Sequence, residues 1–321
     1  MSELSDKMRS ICAEGDAKRD AGLQTPDDVI RYDDIVYGTD AKWQVLDLYR
    51  PAQAGEETLP VLVSFHGGGW VYGSKEVYQF YCMSLSQEGF AVVNFTYRLA
   101  PEFQYPAPLV DMNLVMNWIR ENADRYHLDC NHVFGVGDSA GADGLGLYCG
   151  LLTNPDFAAS LGKLSVTKDA EKLSEMNGSK DLVSLDATGF HPVPGLTFRA
   201  VALNCGAYHM EAAAGVNEDT AGLMADYLPE GGKAGEYDLV CVDNHVTKDF
   251  PPAFLMTCPK DFLLDQAPIL VKKLTEEGVP FVYRFFADPD RSLGHVFHVG
   301  IKSPYAREVN HEEVVFFKKF L

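Results

Sequence analysis

The pentapeptide Gly137-Asp138-Ser139-Ala140-Gly141 constrains this chain more than any other segment. It follows a β-branched and aromatic run at 131–136 and precedes an apolar helical run that reaches Leu152. This order predicts a strand, a tight turn and a helix, with Ser139 in a sparsely populated backbone conformation at the turn. The flanking glycines leave the strand and the helix room to approach each other. We therefore expect the Ser139 hydroxyl to be exposed above a sheet.

Short apolar runs alternate with helical patterns along the chain, which predicts an α/β fold with a mostly parallel central sheet flanked by helices. The first two strand patterns are expected to pair antiparallel. Strand patterns lie at 35–37, 42–49, 59–65, 90–97, 131–136, 199–204, 254–257 and 280–286, and helical patterns at 77–88, 109–126, 139–152, 266–277 and from about 308.

We expect residues 1–321 to form one domain, because α/β folds of this length commonly do so. Residues 1–34 are charged and weakly helical, and are expected either to pack over the functional site or to fray. The segment 206–250 suits a lid beside the mouth of that site. Residues 153–198 are polar and contain too few apolar residues for a core of their own, so they are predicted to be an excursion from the sheet.

A serine hydroxyl is a poor nucleophile without a base, a carboxylate to orient the base, and N–H donors for the oxyanion. In a parallel sheet, functional side chains cluster at the carboxyl ends of the strands. Ser139, Asp261 and His295 each follow a predicted strand. The order nucleophile, acid, base is that of α/β-hydrolases and differs from the orders of other serine-protease folds. We predict that these three side chains form a catalytic triad.

Several neighbouring side chains compete for the roles of acid and base. Asp265 lies one helical turn beyond Asp261 and is expected to cap a helix or face solvent. Asp288 and Asp290 belong to the loop that carries the histidine. Gly294 would leave the ring of His295 room to swing toward the serine, so we prefer His295 as the base. The rivals are Asp265, Asp288 and Asp290 for the acid and His298 for the base.

The oxyanion donors are expected from the run His66-Gly67-Gly68-Gly69, which directly follows the predicted buried strand 59–65. Three consecutive glycines let the backbone turn several N–H groups toward one point without a side chain in the way. His66 is expected to hold this glycine loop by hydrogen bonds.

Composition excludes several classes of partner. The net charge of −19 is spread along the chain and repels polyanions, so nucleic acid and anionic membranes are poor candidates. No signal-peptide pattern and no membrane-spanning run is present in the sequence, which predicts a cytoplasmic protein. Seven scattered cysteines without C-x-x-C spacing predict free thiols rather than a disulfide framework or a zinc site.

Together these motifs resemble the hormone-sensitive-lipase family of α/β-hydrolase esterases, in particular bacterial carboxylesterases. The resemblance runs from about residue 60 to the C-terminus. It implies a small helical cap, made from the N-terminus and the segment after the sixth strand, and an oxyanion hole formed by the N–H groups of Gly68, Gly69 and Ala140. The matching motifs are 66–69, 97–102 and 137–141, with Asp261 in Asp-Phe-Leu-Leu-Asp and His295 in His-Val-Phe.

Two features depart from the family pattern. Ala142-Asp143 replaces the usual Gly-Asn after the elbow; an acid in the first helical turn suits the helix dipole but would add negative charge near the nucleophile. The excursion 153–198 exceeds the family's usual link. Substrate contacts are expected from aromatic residues and from the acid of the elbow, namely Trp70, Tyr72, Phe103, Tyr208 and Asp138.

These observations predict a serine carboxylesterase that acts on small-molecule esters and requires no metal or organic cofactor. The resemblance to the family implies that the acyl chains of these esters are short. A carbohydrate acetyl esterase and a kynurenine-formamidase-like amide hydrolase are the alternatives. A non-catalytic binding protein is disfavoured, since such relatives typically lose the base and His295 is present. The strand 281–286 could pair across a homodimer or lie under a helix.

Overall fold

An eight-stranded sheet forms the framework of this computed structural model, which describes residues 2–162, 184–233 and 235–321. Its strand order is β1-β2-β4-β3-β5-β8-β9-β10; β2 pairs antiparallel with β1 and β4, and every other pair is parallel. The strands are β1 Val29–Val36, β2 Val45–Pro51, β3 Leu59–Phe65, β4 Ala91–Phe95, β5 Leu128–Asp138, β8 Phe198–Asn204, β9 Ala253–Thr257 and β10 Phe281–Phe285, and a separate hairpin joins β6 Leu185–Asp186 to β7 Gly189–Phe190.

Helices cover both faces of this sheet, as the alternating sequence pattern predicts for an α/β fold. The α-helices are α1 Glu3–Asp20, α2 Lys75–Ser86, α3 Ala107–Tyr126, α4 Ala140–Thr153, α5 Pro155–Ser160, α6 Met210–Val216, α7 Glu218–Tyr227, α8 Val242–His245, α9 Gln266–Glu277 and α10 Pro304–Phe317. Short 3₁₀ helices occupy Ala52–Ala54, Tyr237–Val240, Phe297–Val299 and Lys318–Phe320.

Successive residues of β3 enter different cores. Val61 and Val63 belong to the larger hydrophobic cluster, with side chains of α3 and α4, whereas Leu62 belongs to the cluster beneath α2 and α10. All three side chains are fully buried. A strand covered on both faces reads as a continuous apolar run, and this explains why the sequence predicts β3 without error.

The observed elements differ from the predicted ones mainly at the two ends of the chain. β3 and α9 match their predicted bounds, but α10 begins at Pro304 rather than near 308 and β1 is longer than 35–37. The weak helical pattern in 1–34 corresponds to an 18-residue helix in which Ser5 alone is buried, so its low amphipathicity reflects little burial. Part of the excursion 153–198 lies outside the described residues, at 163–183. β10 ends the sheet, and a homodimer through it stays a prediction.

A buried ion pair joins the loop after β4 to α3. The Asp111 carboxylate accepts hydrogen bonds from the Arg98 main-chain N–H at 2.7 Å and from Arg98 Nε at 2.9 Å, and it pairs with Arg98 Nη2 at 2.7 Å. Gln44 Nε2 donates to the same carboxylate at 2.7 Å. Both charged side chains have no exposed surface. Removal of one partner would leave the other charge buried and unpaired.

We expect Asp111→Ala to lower the free energy of unfolding by about 3–5 kcal/mol, because the Arg98 guanidinium would keep its desolvation cost and lose its counter-ion. Urea denaturation followed by circular dichroism measures this change. Asp124→Ala, at an exposed position of the same helix, is the matched control and should change stability by less than about 0.5 kcal/mol. Equal effects of the two substitutions would contradict the assignment.

A buried carboxyl group joins α10 to the sheet. Asn204 Nδ2, at the end of β8, donates to Glu313 Oε2 at 2.6 Å, and Glu313 is 1% exposed. Burial raises the pKa of Glu313 to about 8; the Asn204 hydrogen bond opposes this rise and the nearby Asp138 carboxyl adds to it. Because the pKa is higher in the folded protein than in the unfolded chain, this group favours folding fully at low pH and loses that contribution as the pH approaches 8.

We therefore expect wild type to lose stability relative to Glu313→Gln as the pH rises from about 4.5 to about 8, by at most about 1.4 kcal/mol per pH unit. Glutamine keeps an oxygen for Asn204 and does not ionise. Urea denaturation across this pH range measures the difference, and Glu308→Gln, on the exposed face of α10, serves as the control. A difference that is independent of pH would show that Glu313 does not titrate in this range.

Candidate active site

The elbow at Ser139 has the strained geometry that the pentapeptide predicts. Ser139 lies between the end of β5 and the start of α4, with φ 53° and ψ −122°. A Cβ atom on Gly137 would lie 2.5 Å from the carbonyl oxygen of Gly141, and one on Gly141 would lie 2.1 Å from that of Phe65. Only glycine fits at these two positions. The Ser139 N–H donates to the carbonyl oxygen of Asn204 at 3.0 Å, which attaches the elbow to β8.

Two hydrogen bonds join the three side chains predicted to form a triad. Ser139 Oγ donates to His295 Nε2 at 2.9 Å, and His295 Nδ1 donates to Asp261 Oδ1 at 2.7 Å. The Asp261 side chain is fully buried and also accepts from Thr257 Oγ1 at 2.7 Å and from the Leu263 N–H at 2.9 Å. Burial acts to raise the pKa of Asp261, but the hydrogen bond and charge of His295 outweigh it, and the pKa is lowered. The carboxylate is therefore ionised where an imidazolium would need it.

The loop that carries His295 is held from the neighbouring strand end. Cys258 Sγ donates to the carbonyl oxygen of Gly294 at 3.0 Å, and Lys260 forms a parallel bridge with Gly294. The Phe262 ring lies 4.2 Å from the imidazole, centroid to centroid. Sequence reasoning did not identify Cys258 or Phe262 as supports, although their position beside Asp261 is a signal that could have found them.

The rival residues have other environments. His298 is fully buried against the Tyr81 ring, and burial lowers its pKa to about 3, so it would not act as a base on a substrate in the cavity. Asp265 is exposed at the start of α9, and Asp290 is exposed in the loop before His295. Asp288 accepts hydrogen bonds from the Ser292 hydroxyl and from backbone N–H groups of its own loop.

A cavity of about 260 Å³ opens onto Ser139 and His295. One face of α1 forms part of its wall, through positions 8, 12, 15, 16 and 19, which follow helical spacing. The sequence left open whether this segment packs or frays, and gave it no chemistry; the helical spacing of these positions was the missed signal. The lining residues are Met8, Cys12, Gly15, Asp16, Arg19, Gly67, Gly68, Gly69, Tyr72, Tyr78, Asp138, Ser139, Phe262, His295 and Val296.

Polar contacts hold α1 over the cavity. Arg9 donates to the carbonyl oxygens of Val71 at 2.8 Å and Ala100 at 2.9 Å, both in the loops around the glycine run. The Tyr72 hydroxyl donates to Asp16 at 2.8 Å. Ser2 and Ser5 also donate to Asp226 of α7, so α1 contacts the segment 206–250.

The predicted substrate contacts divide into two groups. Tyr72 and Asp138 line the cavity, whereas Trp70, Phe103 and Tyr208 are not among its lining residues. Trp70 is 5% exposed and stacks on Tyr227, and Tyr208 is fully buried and donates to the carbonyl oxygen of Leu203 at 2.8 Å. Phe103 packs edge-on against Trp43. Trp70 and Tyr208 belong to the hydrophobic core, whereas Phe103 is half-buried outside it. A contact of these three side chains with substrate stays a prediction.

Asp143 does not place the expected negative charge beside the nucleophile. Its side chain is fully buried and accepts a hydrogen bond from Trp70 Nε1 at 2.9 Å. Burial raises the pKa of Asp143 well above its ordinary value, although the Trp70 hydrogen bond opposes this, so the neutral acid is favoured. The expectation from the sequence is corrected by the depth of this position.

A tyrosine links the elbow to the glycine loop. The Tyr78 hydroxyl donates to Asp138 Oδ2 at 2.7 Å and accepts from the Gly67 N–H at 3.0 Å. Burial raises the pKa of Asp138 to about 6, against the effect of the Tyr78 hydrogen bond. His66 Nδ1 lies 2.7 Å from the carbonyl oxygen of Gly67, and its ring stacks on Tyr97. Burial lowers the pKa of His66 to about 4, so the ring is neutral and supports the loop, as predicted.

Gly68 and Gly69 line the cavity beside Ser139, and Ala140 is the first residue of α4, directly after the nucleophile. The three predicted oxyanion donors thus lie on the two segments that Tyr78 joins.

Within the described residues, no helix combines the length and the apolar character needed to cross a lipid bilayer.

Comparison with known proteins supports one family. The BD-FAE family model matches residues 46–192. Esterase LipC of Mycobacterium tuberculosis is 33% identical over 41% of this chain and 33% of its own length, and carboxylesterase NlhH of the same organism is 28% identical over 80% and 74%. The chain thus spans from one third to three quarters of the length of these curated relatives.

The fold has a close counterpart among solved structures. Esterase B from Lactobacillus rhamnosis superposes with a TM-score of 0.79 and 25% identity, over 99% of this chain and 95% of that one. Together with the mostly parallel eight-stranded sheet, these similarities identify the fold as that of the α/β-hydrolases. These similarities support the resemblance to the hormone-sensitive-lipase family of α/β-hydrolase esterases that the sequence motifs indicate.

Proposed function

We propose that this protein is a serine carboxylesterase that hydrolyses small esters with short acyl chains. The observation that supports this best is the continuous chain of hydrogen bonds from Ser139 Oγ through His295 to the buried carboxylate of Asp261. These groups supply a nucleophile, a base and an orienting anion, which together perform acyl transfer.

In the proposed reaction, Ser139 Oγ attacks the ester carbonyl carbon while His295 Nε2 accepts the hydroxyl proton. The oxyanion accepts hydrogen bonds from the N–H groups of Gly68, Gly69 and Ala140. The C–O bond to the alcohol then breaks, the imidazolium gives its proton to the leaving alkoxide, and an acyl-enzyme remains. Water, deprotonated by His295, then attacks the acyl carbon. The bond from this carbon to Ser139 Oγ breaks, the carboxylic acid leaves, and the imidazolium returns its proton to Oγ.

Removal of the nucleophile tests this function directly. We expect Ser139→Ala to lower kcat for p-nitrophenyl acetate roughly 10⁴-fold or more, because binding and oxyanion stabilisation would remain without covalent catalysis. Ser10→Ala, at an exposed position of α1, is the matched control and should retain wild-type activity. Retention of most activity by Ser139→Ala would refute the proposed mechanism.

We also propose that α1, together with α6 and α7, forms the cap and that the cap limits substrate size. Pockets for drug-sized ligands usually exceed roughly 300 Å³, and this cavity of about 260 Å³ suits a smaller substrate. Gly15 lines the cavity, and a Cβ atom there would meet nothing within 4 Å. The missing side chain therefore leaves space in the wall that α1 contributes.

We expect Gly15→Leu to fill this space and to lower kcat/KM for p-nitrophenyl hexanoate about tenfold relative to the acetate ester. Leucine is also a better helix former than glycine, so α1 should not be destabilised. Gly215→Leu is the control, because it lies at an exposed position of α6, has equally open surroundings and does not line the cavity. An equal loss for both esters would mean that α1 does not select acyl length.

The rates of hydrolysis of acetylated xylo-oligosaccharides and of N-formylkynurenine, compared with that of p-nitrophenyl acetate, distinguish the acetyl esterase and amide hydrolase alternatives.

A further inference from the structure

A group of potential metal ligands lies in the segment 206–250, outside the candidate triad. His209 immediately precedes α6, Cys241 precedes α8, and Asp243 lies within α8. One ligand atom from each of the three side chains lies within 4.8 Å of the other two. An imidazole nitrogen, a thiolate sulfur and a carboxylate oxygen are the ligand types that zinc binds in proteins.

The backbone holds two of these side chains in place. The His209 N–H donates to Gln266 Oε1 at 2.8 Å, and the Asp243 N–H donates to the carbonyl oxygen of Tyr208 at 3.4 Å. His209 Nδ1 lies 3.0 Å and 2.9 Å from the two carboxylate oxygens of Asp243. The His209 and Asp243 side chains are 28% and 14% exposed, which leaves an ion a path from solvent.

The third side chain lies beneath them. Cys241 is 1% exposed, and its sulfur lies within 4.8 Å of a ligand atom of each of the other two side chains. A thiol this deep in the protein would not reach a substrate as a nucleophile. A divalent cation would replace the thiol proton, which would leave to solvent, and would neutralise the buried thiolate.

We propose that His209, Cys241 and Asp243 bind one zinc-type divalent ion, with water as the fourth ligand. The ion joins the chain before α6, where the His209 N–H bonds to Gln266, to the chain at α8. The cysteine spacing along the sequence predicts no such site, since these three ligands come from two segments that only folding brings together.

A second group with ligand geometry, formed by Cys205, Asp261 and His295, contains two residues of the candidate triad. Binding experiments must therefore separate the two groups. Cys205→Ser removes a ligand from the triad group alone, and Cys241→Ser removes one from the proposed site alone.

Titration of the chelator-treated, full-length protein with Zn²⁺, in competition with a chromophoric chelator, should give one ion per chain. Co²⁺ should produce a near-ultraviolet thiolate-to-cobalt absorption band. We expect Cys241→Ser to remove this band and to raise the Kd for Zn²⁺ roughly 10-fold to 100-fold. Cys205→Ser should keep both properties, as should Cys149→Ser, which removes a buried thiol from α4.

His209 is the most exposed of the three ligands, so its substitution provides a test that does not disturb the core. His209→Gln should weaken Zn²⁺ binding similarly, with an unchanged far-ultraviolet circular dichroism spectrum, and Zn²⁺ should raise the Tm of wild type but not that of this variant. Lack of saturable binding, or a cobalt band that survives Cys241→Ser, would overturn the proposal. None of these readouts uses ester hydrolysis, so the result is independent of the function proposed above.

Discussion

The parallel register of the central strands determines where each group of the candidate active site stands. Phe65 pairs with Gly137, Asp138 with Asn204, and Asn204 with Met256, so β3, β5, β8 and β9 end at one level. The glycine loop, the elbow and the acid loop leave the sheet from three of these strand ends. Groups that are far apart along the chain therefore meet at one edge, and a shift of one strand by a residue would separate them.

Burial shifts the pKa values of several polar groups beneath this edge toward their neutral forms, and favours the neutral form at pH 7 for Asp143, Glu313 and His66. Burial raises the pKa values of Asp138, Asp143 and Glu313 and lowers that of His66. Asp261 is the exception, since His295 and its other hydrogen-bond partners keep its pKa low. The Asp261 carboxylate therefore keeps its negative charge facing the imidazole, in a buried environment where its effect on an imidazolium is strong.

The α1 helix shows how a segment with little buried surface can still shape a site. Its polar contacts with the rest of the protein are made by Arg9, Asp16 and the two serines that donate to Asp226, and its apolar contacts with the larger hydrophobic cluster by Leu4 and Met8. Such contacts leave only a weak hydrophobic pattern in the sequence. The helix was therefore predicted only as weakly helical, and its contribution to the cavity wall was not predicted.

The sequence by itself determined the α/β class, most of the central strands, and the three side chains that the structure joins by hydrogen bonds. It could do so because strands buried on both faces leave continuous apolar runs, and because an elbow needs glycine at fixed positions beside Ser139. Only the tertiary structure decided which aromatic rings face the cavity, that Asp143 is buried and neutral, and that His209 meets Cys241 and Asp243. Depth and proximity between distant segments depend on how the elements pack, and no local pattern encodes them.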